Sequence, residues 1–399
     1  MTERIYYRDP YAFEFDATIV AIEPVSSDGD GRRGVVLDRT AFYPTSGGQP
    51  FDVGSLGGSK VVDVIDQDDG AILHIVEGDL TAGPVHGTVD WNRRFDHMQQ
   101  HTGQHVLSAA FDRLFDVRTM SFHLGSTTST IDLAREVSAA EMARAESEAN
   151  RVVWQDRPVT IRFATAAEAA NLPLRKEPTR EGVLRIIEID EWDVSACGGT
   201  HVARTGAIGI IAITASERFR GGTRVEFVCG GRALEAFRKL RESVASSTRL
   251  LSVLPSEMPA AIERLQAEGR DLTKHVKVLH AQLATHEAAA LAANAETIGP
   301  MKVVLAALDG WDAGGIKALA TAITARPGHL AVLMTSPAPA SIVVARAADA
   351  GADCAAILRR LTSRFGGKGG GRPELAQGGG LTGDVQHMLA AVRSDLSGV

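Results

Sequence analysis

Two short motifs, each with two potential metal ligands four residues apart, place the strongest constraint on how this chain folds. His101 and His105 lie in "HTGQH", and Cys197 and His201 lie much later in the chain, in "CGGTH". Side chains at positions i and i+4 of a helix share one face, so His101 and His105 can bind one ion. Together the motifs supply four nitrogen and sulfur ligands, the number that tetrahedral zinc takes. If they share one ion, the fold has to bring these distant segments together.

The residues by themselves leave the nature of this site open. In the zinc-protease pattern a Glu follows the first His, whereas Thr102 stands there in this chain, so that class is excluded. Burial as an apolar side chain is the alternative for Cys197, because free cysteines are among the most buried residue types. Spacing alone also does not distinguish a structural from a catalytic metal.

Changes in composition along the chain predict four domains in an α+β fold. Residues 1–90 hold short β-branched runs such as "FDATIVAIEP" between Gly, Asp, Ser and Pro turns, which predicts a small barrel or sandwich. Residues 91–231 mix helical and strand patterns and contain both ligand motifs, which predicts an α/β core. Residues 232–297 predict a helical arm, and residues 298–399 predict a small α/β domain with the glycine-rich loop "GGKGGGRPELAQGGG".

Two helices carry further signals. Ser138 followed by Glu141 is a capping-box pattern that predicts a helix start. In the arm, apolar residues recur in steps of three and four over about four heptads, interrupted by one Gly and one His. This seam predicts either a dimerisation element or a helix packed only within its own chain. Its members are Ile262, Leu265, Gly269, Leu272, Val276, Leu279, Leu283, His286 and Ala290.

Composition indicates an ordinary globular protein without a transmembrane segment. Hydrophobic residues make up 44% of the 399 residues and charged residues 23%. Three widely spaced cysteines do not form a disulfide framework, so we expect a reducing, cytoplasmic location. The net charge is −7, yet residues 298–399 hold ten Lys or Arg against seven Asp or Glu. Such a local basic region can bind phosphate or can be a solvated helix face.

A third motif, "AFYPTSGGQPFDVG", combines hydroxyl and amide side chains with two glycines. Thr45 and Gln49 flank the turn that contains Gly47 and Gly48. Glycines in a β-turn allow a ligand to approach the backbone closely, and the flanking polar groups can select a small polar substrate. A plain hairpin turn is the alternative.

These motifs together resemble a known family. "YPTSGGQP", "HTGQH" and "CGGTH" stand in the order and approximate spacing of the editing domain of alanyl-tRNA synthetase and of the free-standing AlaX editing proteins. The glycine-rich segment resembles the C-terminal domain of the same synthetase, a module also found in DHH-type phosphoesterases. The resemblance is to the long form of AlaX, so we expect an editing enzyme without a preceding aminoacylation domain.

The resemblance implies a site and a reaction. It implies Zn²⁺ held by His101, His105, Cys197 and His201, and recognition of the mischarged aminoacyl group by Thr45 and Gln49. It implies deacylation of misacylated tRNA(Ala), with serine expected first and glycine second, and tRNA contacts from Arg364, Lys368 and Arg372. A homodimer through the arm or the C-terminal domain, and binding of ATP or another nucleotide, are further expectations. A non-catalytic, zinc-stabilised tRNA-binding protein or synthetase partner is the alternative function.

Overall fold

The computed structural model describes residues 1–24, 32–175 and 182–398. They form two compact units, Met1–Ser246 and Ser247–Val399. No helix in the described ranges is long and apolar enough to cross a lipid bilayer. The finer division into four domains stays a prediction.

The first unit begins with a closed six-stranded barrel, as the β-rich composition predicted. Its strands follow one another around the barrel in the order β2-β3-β7-β6-β5-β8, while β1 and β4 form a separate parallel pair. Along β2, the buried Phe15, Ala17 and Ile19 alternate with exposed residues, because successive side chains of a strand point to opposite faces. The strands are β1 (Glu3–Arg4), β2 (Glu14–Pro24), β3 (Arg32–Leu37), β4 (Arg39–Thr40), β5 (Gly54–Leu56), β6 (Ser59–Asp66), β7 (Ile72–Glu77) and β8 (Gly83–Val89).

A long helix follows the barrel and packs against two small sheets. One sheet has the strand order β14-β15-β10-β9 and the other the order β11-β12-β13. The predicted capping box is present at the start of α2: Ser138 Oγ accepts from Glu141 N–H, and Ser138 N–H donates to the Glu141 carboxylate. The elements are α1 (Trp91–Phe115), β9 (Thr119–Leu124), β10 (Ser129–Leu133), α2 (Ala139–Trp154), β11 (Val159–Ala164), α3 (Ala166–Ala169), β12 (Leu184–Ile189), β13 (Asp193–Ala196), β14 (Ile211–Phe219), β15 (Gly222–Cys229) and α4 (Gly230–Leu251).

The second unit is a six-stranded sheet with helices on both faces. The strand order is β16-β17-β18-β19-β21-β20. Leu358 and Met388, from α7 and α8, belong to the apolar core on one face, and Ala284 and Leu319, from α5 and α6, belong to the core on the other. The elements are α5 (Met258–Ala293), β16 (Glu296–Ile298), β17 (Met301–Asp309), α6 (Ala313–Thr324), β18 (His329–Ser336), β19 (Ala340–Arg346), α7 (Cys354–Phe365), β20 (Lys368–Arg372), β21 (Leu375–Leu381) and α8 (Val385–Ser397).

The prediction of a glycine-rich loop is wrong, because this segment forms a hairpin of the antiparallel strands β20 and β21. Glycine disfavours strands, so local composition indicated a loop. The tertiary contacts reverse this preference: a Cβ on Gly369 would lie 2.6 Å from the backbone of Gly378 and 3.0 Å from Leu358 of α7. The glycines therefore allow α7 and the paired strand to approach more closely than any side chain would permit.

Candidate metal centre

Helix α1 is unusual because its middle is buried although it is polar. The N-cap Asp90 accepts from Arg93 N–H, and residues 97 to 111 are then all buried. Buried polar groups are costly unless they are hydrogen-bonded, and most of these have partners. Gln100, for example, donates to Cys229 C=O and accepts from Cys229 N–H. Close packing also explains Gly103, since a Cβ there would lie 2.3 Å from Cys229 Sγ.

The structure brings the four predicted ligands together. The ligand atoms of His101, His105, Cys197 and His201 all lie within 4.8 Å of one another. Cys197 Sγ lies 3.4 Å from His101 Nε2 and 3.4 Å from His201 Nε2. With zinc–nitrogen and zinc–sulfur bonds of about 2.0 and 2.3 Å, the edges of a tetrahedron measure roughly 3.3 to 3.6 Å. The donor set and these two distances fit a tetrahedral zinc ion.

Each of the three histidines uses its Nδ1 for a different partner. His101 Nδ1 lies 2.8 Å from Gln49 Oε1, His105 Nδ1 lies 2.9 Å from Asp193 Oδ2, and His201 Nδ1 lies 3.2 Å from Thr102 Oγ1. Metal-binding histidines generally donate the hydrogen of their other ring nitrogen in this way, which fixes the tautomer and the ring orientation. All three rings therefore leave Nε2 for the ion.

The electrostatics of the cluster favour a thiolate. Burial alone would raise the pKa of Cys197, but the neighbouring His101 and His201 hold that pKa well below its ordinary value. Burial would lower the pKa of His105, yet the hydrogen bond to Asp193 and the proximity of Cys197 raise it to about 9. Asp193 is also paired with Arg175, at 2.7 Å. Zinc binds a thiolate and neutral imidazoles, so its binding here would release the proton that His105 holds at neutral pH.

The two glycines of "CGGTH" have different roles. A Cβ on Gly199 would lie 2.1 Å from His101 Cε1 and 3.0 Å from Gln49 Oε1, so only glycine fits there. At Gly198 the nearest atom is the Tyr7 hydroxyl oxygen at 3.6 Å, an ordinary contact. Gly199 N–H also donates to Cys197 Sγ at 3.4 Å.

Gln49 closes a tight turn with Ser46, Thr45 immediately precedes that turn, and the surroundings of Thr45 and Gln49 differ. Gln49 is fully buried against His101 and Thr200. Thr45 is exposed, and its hydroxyl accepts from Phe51 N–H at 3.2 Å. Gly48, between them, packs on Phe122, whose ring centroid is 5.6 Å from that of His101.

The predicted tRNA-binding residues lie in the second unit. Arg364 is in the last turn of α7 with its guanidinium over Phe365, and Lys368 and Arg372 are the first and last residues of the edge strand β20. All three are exposed.

Sequence reasoning missed the residues that surround the ligands. Asp193 lies four positions before Cys197, and its carboxylate also accepts from Ser195 Oγ. Arg185 donates to the carbonyl groups of Cys197, Gly199 and Tyr7, so it fixes the loop that carries the thiolate. The sequence held one clue, since an Asp so close to "CGGTH" is a plausible partner for a metal-binding His.

Comparison with known proteins identifies relatives over nearly the whole chain. Residues 184–226 match the family model described as the threonyl and alanyl tRNA synthetase second additional domain, and residues 301–398 match the DHHA1 domain. The alanyl-tRNA editing protein AlaX-L of Pyrococcus horikoshii is 32% identical over 395 aligned residues, which cover 95% of this chain and 94% of that protein. The chain belongs to the AlaX-L family of alanyl-tRNA editing proteins. This membership confirms the predicted family and, with it, the prediction of an editing enzyme.

Alanine–tRNA ligases match the same residues. The ligase of Pyrococcus abyssi is 34% identical over 399 aligned residues, which cover 94% of this chain and 42% of the ligase. The chain therefore spans less than half the length of the ligases it matches. Among solved structures, the C-Ala domain of Aquifex aeolicus alanyl-tRNA synthetase matches 26% of this chain and 98% of that domain, with 17% identity and a TM-score of 0.25.

The difference between the two glycines gives a matched pair of variants. We expect Gly199→Ala to abolish tight zinc binding, because its Cβ collides with the His101 ring and with Gln49. Gly198→Ala should retain zinc at the level of the original protein. Zinc per chain after gel filtration, measured by atomic emission, tests both. Stoichiometric zinc in Gly199→Ala would contradict the close approach described here.

Proposed function

We propose that this chain hydrolyses the ester of misacylated tRNA(Ala), with Ser-tRNA(Ala) as the preferred substrate and Gly-tRNA(Ala) as a second one, and that it requires zinc. The observation that carries this proposal is the convergence of His101, His105, Cys197 and His201 beside the turn that bears Thr45. Membership in an editing family supports the reaction class. The substrate and the zinc requirement are our own inference.

The residues around the candidate metal centre have different roles in the proposed reaction. The three histidines are buried, and Cys197 retains partial exposure as a residue. His101, His105, Cys197 and His201 would fill a tetrahedral zinc site, so the ion would supply Lewis acidity to the ester carbonyl or to a water only with an expanded coordination or with one ligand displaced. Arg185 and Gly199 keep Cys197 in position, and Asp193 keeps the His105 ring in position.

Thr45 is the residue that we assign to substrate selection. Its hydroxyl accepts from Phe51 N–H, so its own hydrogen is available to donate to the hydroxyl of a seryl group. A site that pairs a substrate hydroxyl rejects an analogue without it more strongly than an apolar pocket does. Alanyl-tRNA(Ala), the correct product, would be spared for this reason.

The direct test is deacylation by the purified protein. We expect Ser-tRNA(Ala) to be hydrolysed fastest, Gly-tRNA(Ala) more slowly and Ala-tRNA(Ala) least. Removal of zinc with a chelator should abolish the reaction, and added zinc should restore it. Release of the radiolabelled amino acid at each condition provides the measurement. Full activity in the chelated protein would exclude every zinc-dependent version of the proposal.

A variant at the selecting residue separates recognition from chemistry. Thr45→Val keeps the shape of the side chain and removes its hydroxyl, so kcat/KM for Ser-tRNA(Ala) should fall about tenfold or more. The value for Gly-tRNA(Ala) should change little, because glycine has no hydroxyl to lose a partner. A protein that binds tRNA(Ala) and releases no amino acid would support the non-catalytic alternative.

Binding of ATP and the absence of aminoacylation activity are predictions that the structure does not test.

We assign binding of the tRNA backbone to the face of β20 that carries the exposed Lys368 and Arg372. Residues four apart on a strand point to the same face about 13 Å apart, and Lys368 and Arg372 have this spacing. Between them, a Cβ on Gly370 would meet nothing within 4 Å, whereas Gly369 faces Leu358 of α7. The face thus offers two exposed cations flanking bare backbone, and Arg364 lies in the preceding helix turn.

Neutral substitution at this face should weaken tRNA binding without impairing the metal centre. For Lys368→Gln with Arg372→Gln we expect KM for Ser-tRNA(Ala) to rise on the order of tenfold, with kcat retained and a shallower dependence of binding on salt. Lys317→Gln is the matched control, since Lys317 is exposed on α6. An unchanged KM and salt slope in the double variant would place the tRNA contacts elsewhere.

A homodimer through α5 is the remaining part of the proposal. Seam residues in the described part of this helix are strongly exposed: Leu265 by 52%, Leu272 by 66% and Leu279 by 61%. An antiparallel second copy would pair Leu265 with the partner's Val276, and Gly269 with the partner's Leu272, so the seam is complementary to itself. A contiguous exposed apolar stripe of this kind marks an interaction surface.

Two single variants, each with one glutamate introduced into α5, test the seam. Leu272→Glu puts a charge in the middle of the seam and should convert a dimer into a monomer in sedimentation equilibrium. Val278→Glu is the matched control, because Val278 is also exposed, by 54%, but lies outside the seam. A monomeric original protein, or a dimeric Leu272→Glu variant, would rule out this interface.

A further inference from the structure

Gln49 lies at the metal centre, and its amide is engaged by protein groups. The side chain has no exposed surface. Its Oε1 accepts from Thr200 N–H at 3.0 Å and from His101 Nδ1 at 2.8 Å, and its Nε2 donates to Thr200 Oγ1 at 2.9 Å. Both lone-pair directions of the amide oxygen are thereby used.

The hydrogen bond from Thr200 fixes the tautomer of His101. A backbone N–H only donates, so the amide atom that faces Thr200 N must be the oxygen. The same oxygen faces His101 Nδ1, which therefore has to carry the hydrogen. His101 Nε2 is then the bare nitrogen, and it is the atom that lies 3.4 Å from Cys197 Sγ. Gln49 thus orients a metal ligand.

Gln49 also connects that ligand to the turn that bears Thr45. Gln49 N–H donates to Ser46 C=O at 2.9 Å, and Ser46 N–H donates to Gln49 C=O at 3.1 Å, so the two residues close one tight turn. Thr45 immediately precedes this turn. Its backbone N–H donates to Val64 C=O at 3.3 Å. The position of the selecting hydroxyl is therefore linked through Gln49 to the His101 ring.

We propose that Gln49 is a positioning residue for the metal ligand His101, rather than a contact for the aminoacyl group, and that it couples metal binding to the order of the Thr45 turn. This inference rests on the zinc site of the proposed function. It replaces the role that family resemblance implied for Gln49. Thr45, an exposed residue, remains the one that we assign to the substrate.

Metal affinity is the measurement that distinguishes the two roles. Gln49→Leu has a similar size but no acceptor for His101 Nδ1, so we expect zinc affinity to fall by about 10- to 100-fold in competition with a chromophoric chelator. Gln49→Glu keeps an acceptor at the same place, as Asp193 provides for His105, and should stay within a few-fold of the original protein. Gln377→Leu, the same substitution at an exposed position of β21 in the second unit, is the matched control that should leave zinc affinity unchanged.

Hydrogen exchange tests the coupling. Zinc should slow exchange of the Ser46 and Gln49 amides in the original protein and in Gln49→Glu, but not in Gln49→Leu. If Gln49→Leu does not fold, Gln49→Met serves the same comparison, because it is unbranched and also lacks the acceptor.

The outcomes separate this inference from the proposed function. If the original protein binds no zinc, both fail. If zinc affinity is equal in Gln49→Leu and the original protein while discrimination between Ser- and Ala-tRNA(Ala) is lost, Gln49 contacts the aminoacyl group, and only this inference is overturned. Reduced zinc affinity without any change in amide exchange supports the positioning role and overturns the coupling.

Discussion

The burial of the polar middle of α1 is the constraint on which the first unit depends. His101 and His105 have no exposed face, so the groups around them have to satisfy every ring nitrogen. Those groups come from distant parts of the chain: Gln49 from a turn that follows β4, Asp193 from β13, and Cys197 with His201 from the loop that follows β13. Each of these segments supplies a hydrogen-bond partner or potential ligand that the other segments lack. A buried polar network of this kind is therefore fully satisfied in one arrangement of the chain.

Local signals in the sequence predicted several of the elements and singled out four residues that the structure brings together. Spacing placed His101 and His105 on one helix face, and the Ser138–Glu141 pattern located the start of α2, because both depend on neighbours within one turn. Short β-branched runs between turns predicted a barrel or a sandwich, and the structure has a barrel in which burial alternates along strands such as β2. Spacing could not predict the groups that bind the Nδ1 atoms of the histidines. Hydrogen bonds such as that between His105 Nδ1 and Asp193 join residues far apart in the chain.

The two glycine-rich segments show where local reasoning reaches its limit. From composition alone, a glycine indicates only a flexible backbone. Gly369 and Gly199 are required for another reason, because a neighbouring group occupies the space that a side chain would take. In β20 that group is Leu358 and the paired strand, and the result is a hairpin where a loop was predicted. In "CGGTH" it is the His101 ring, and neighbouring Gly198 has no such restriction. Only the tertiary structure separates these cases.

The same contacts join the turn of "YPTSGGQP" to the two motifs that hold the four potential metal ligands. Gln49 and Gly199 meet at His101 from two sides, so the turn that carries Thr45 and the loop that carries Cys197 pack against one imidazole. A shift of either segment would move the ring that both contact. Because close-packed interiors transmit displacements instead of absorbing them, the turn next to Thr45 and the loop of Cys197 are coupled through the His101 ring. In the function that we propose, selection of the aminoacyl group and hydrolysis would depend on the same few contacts.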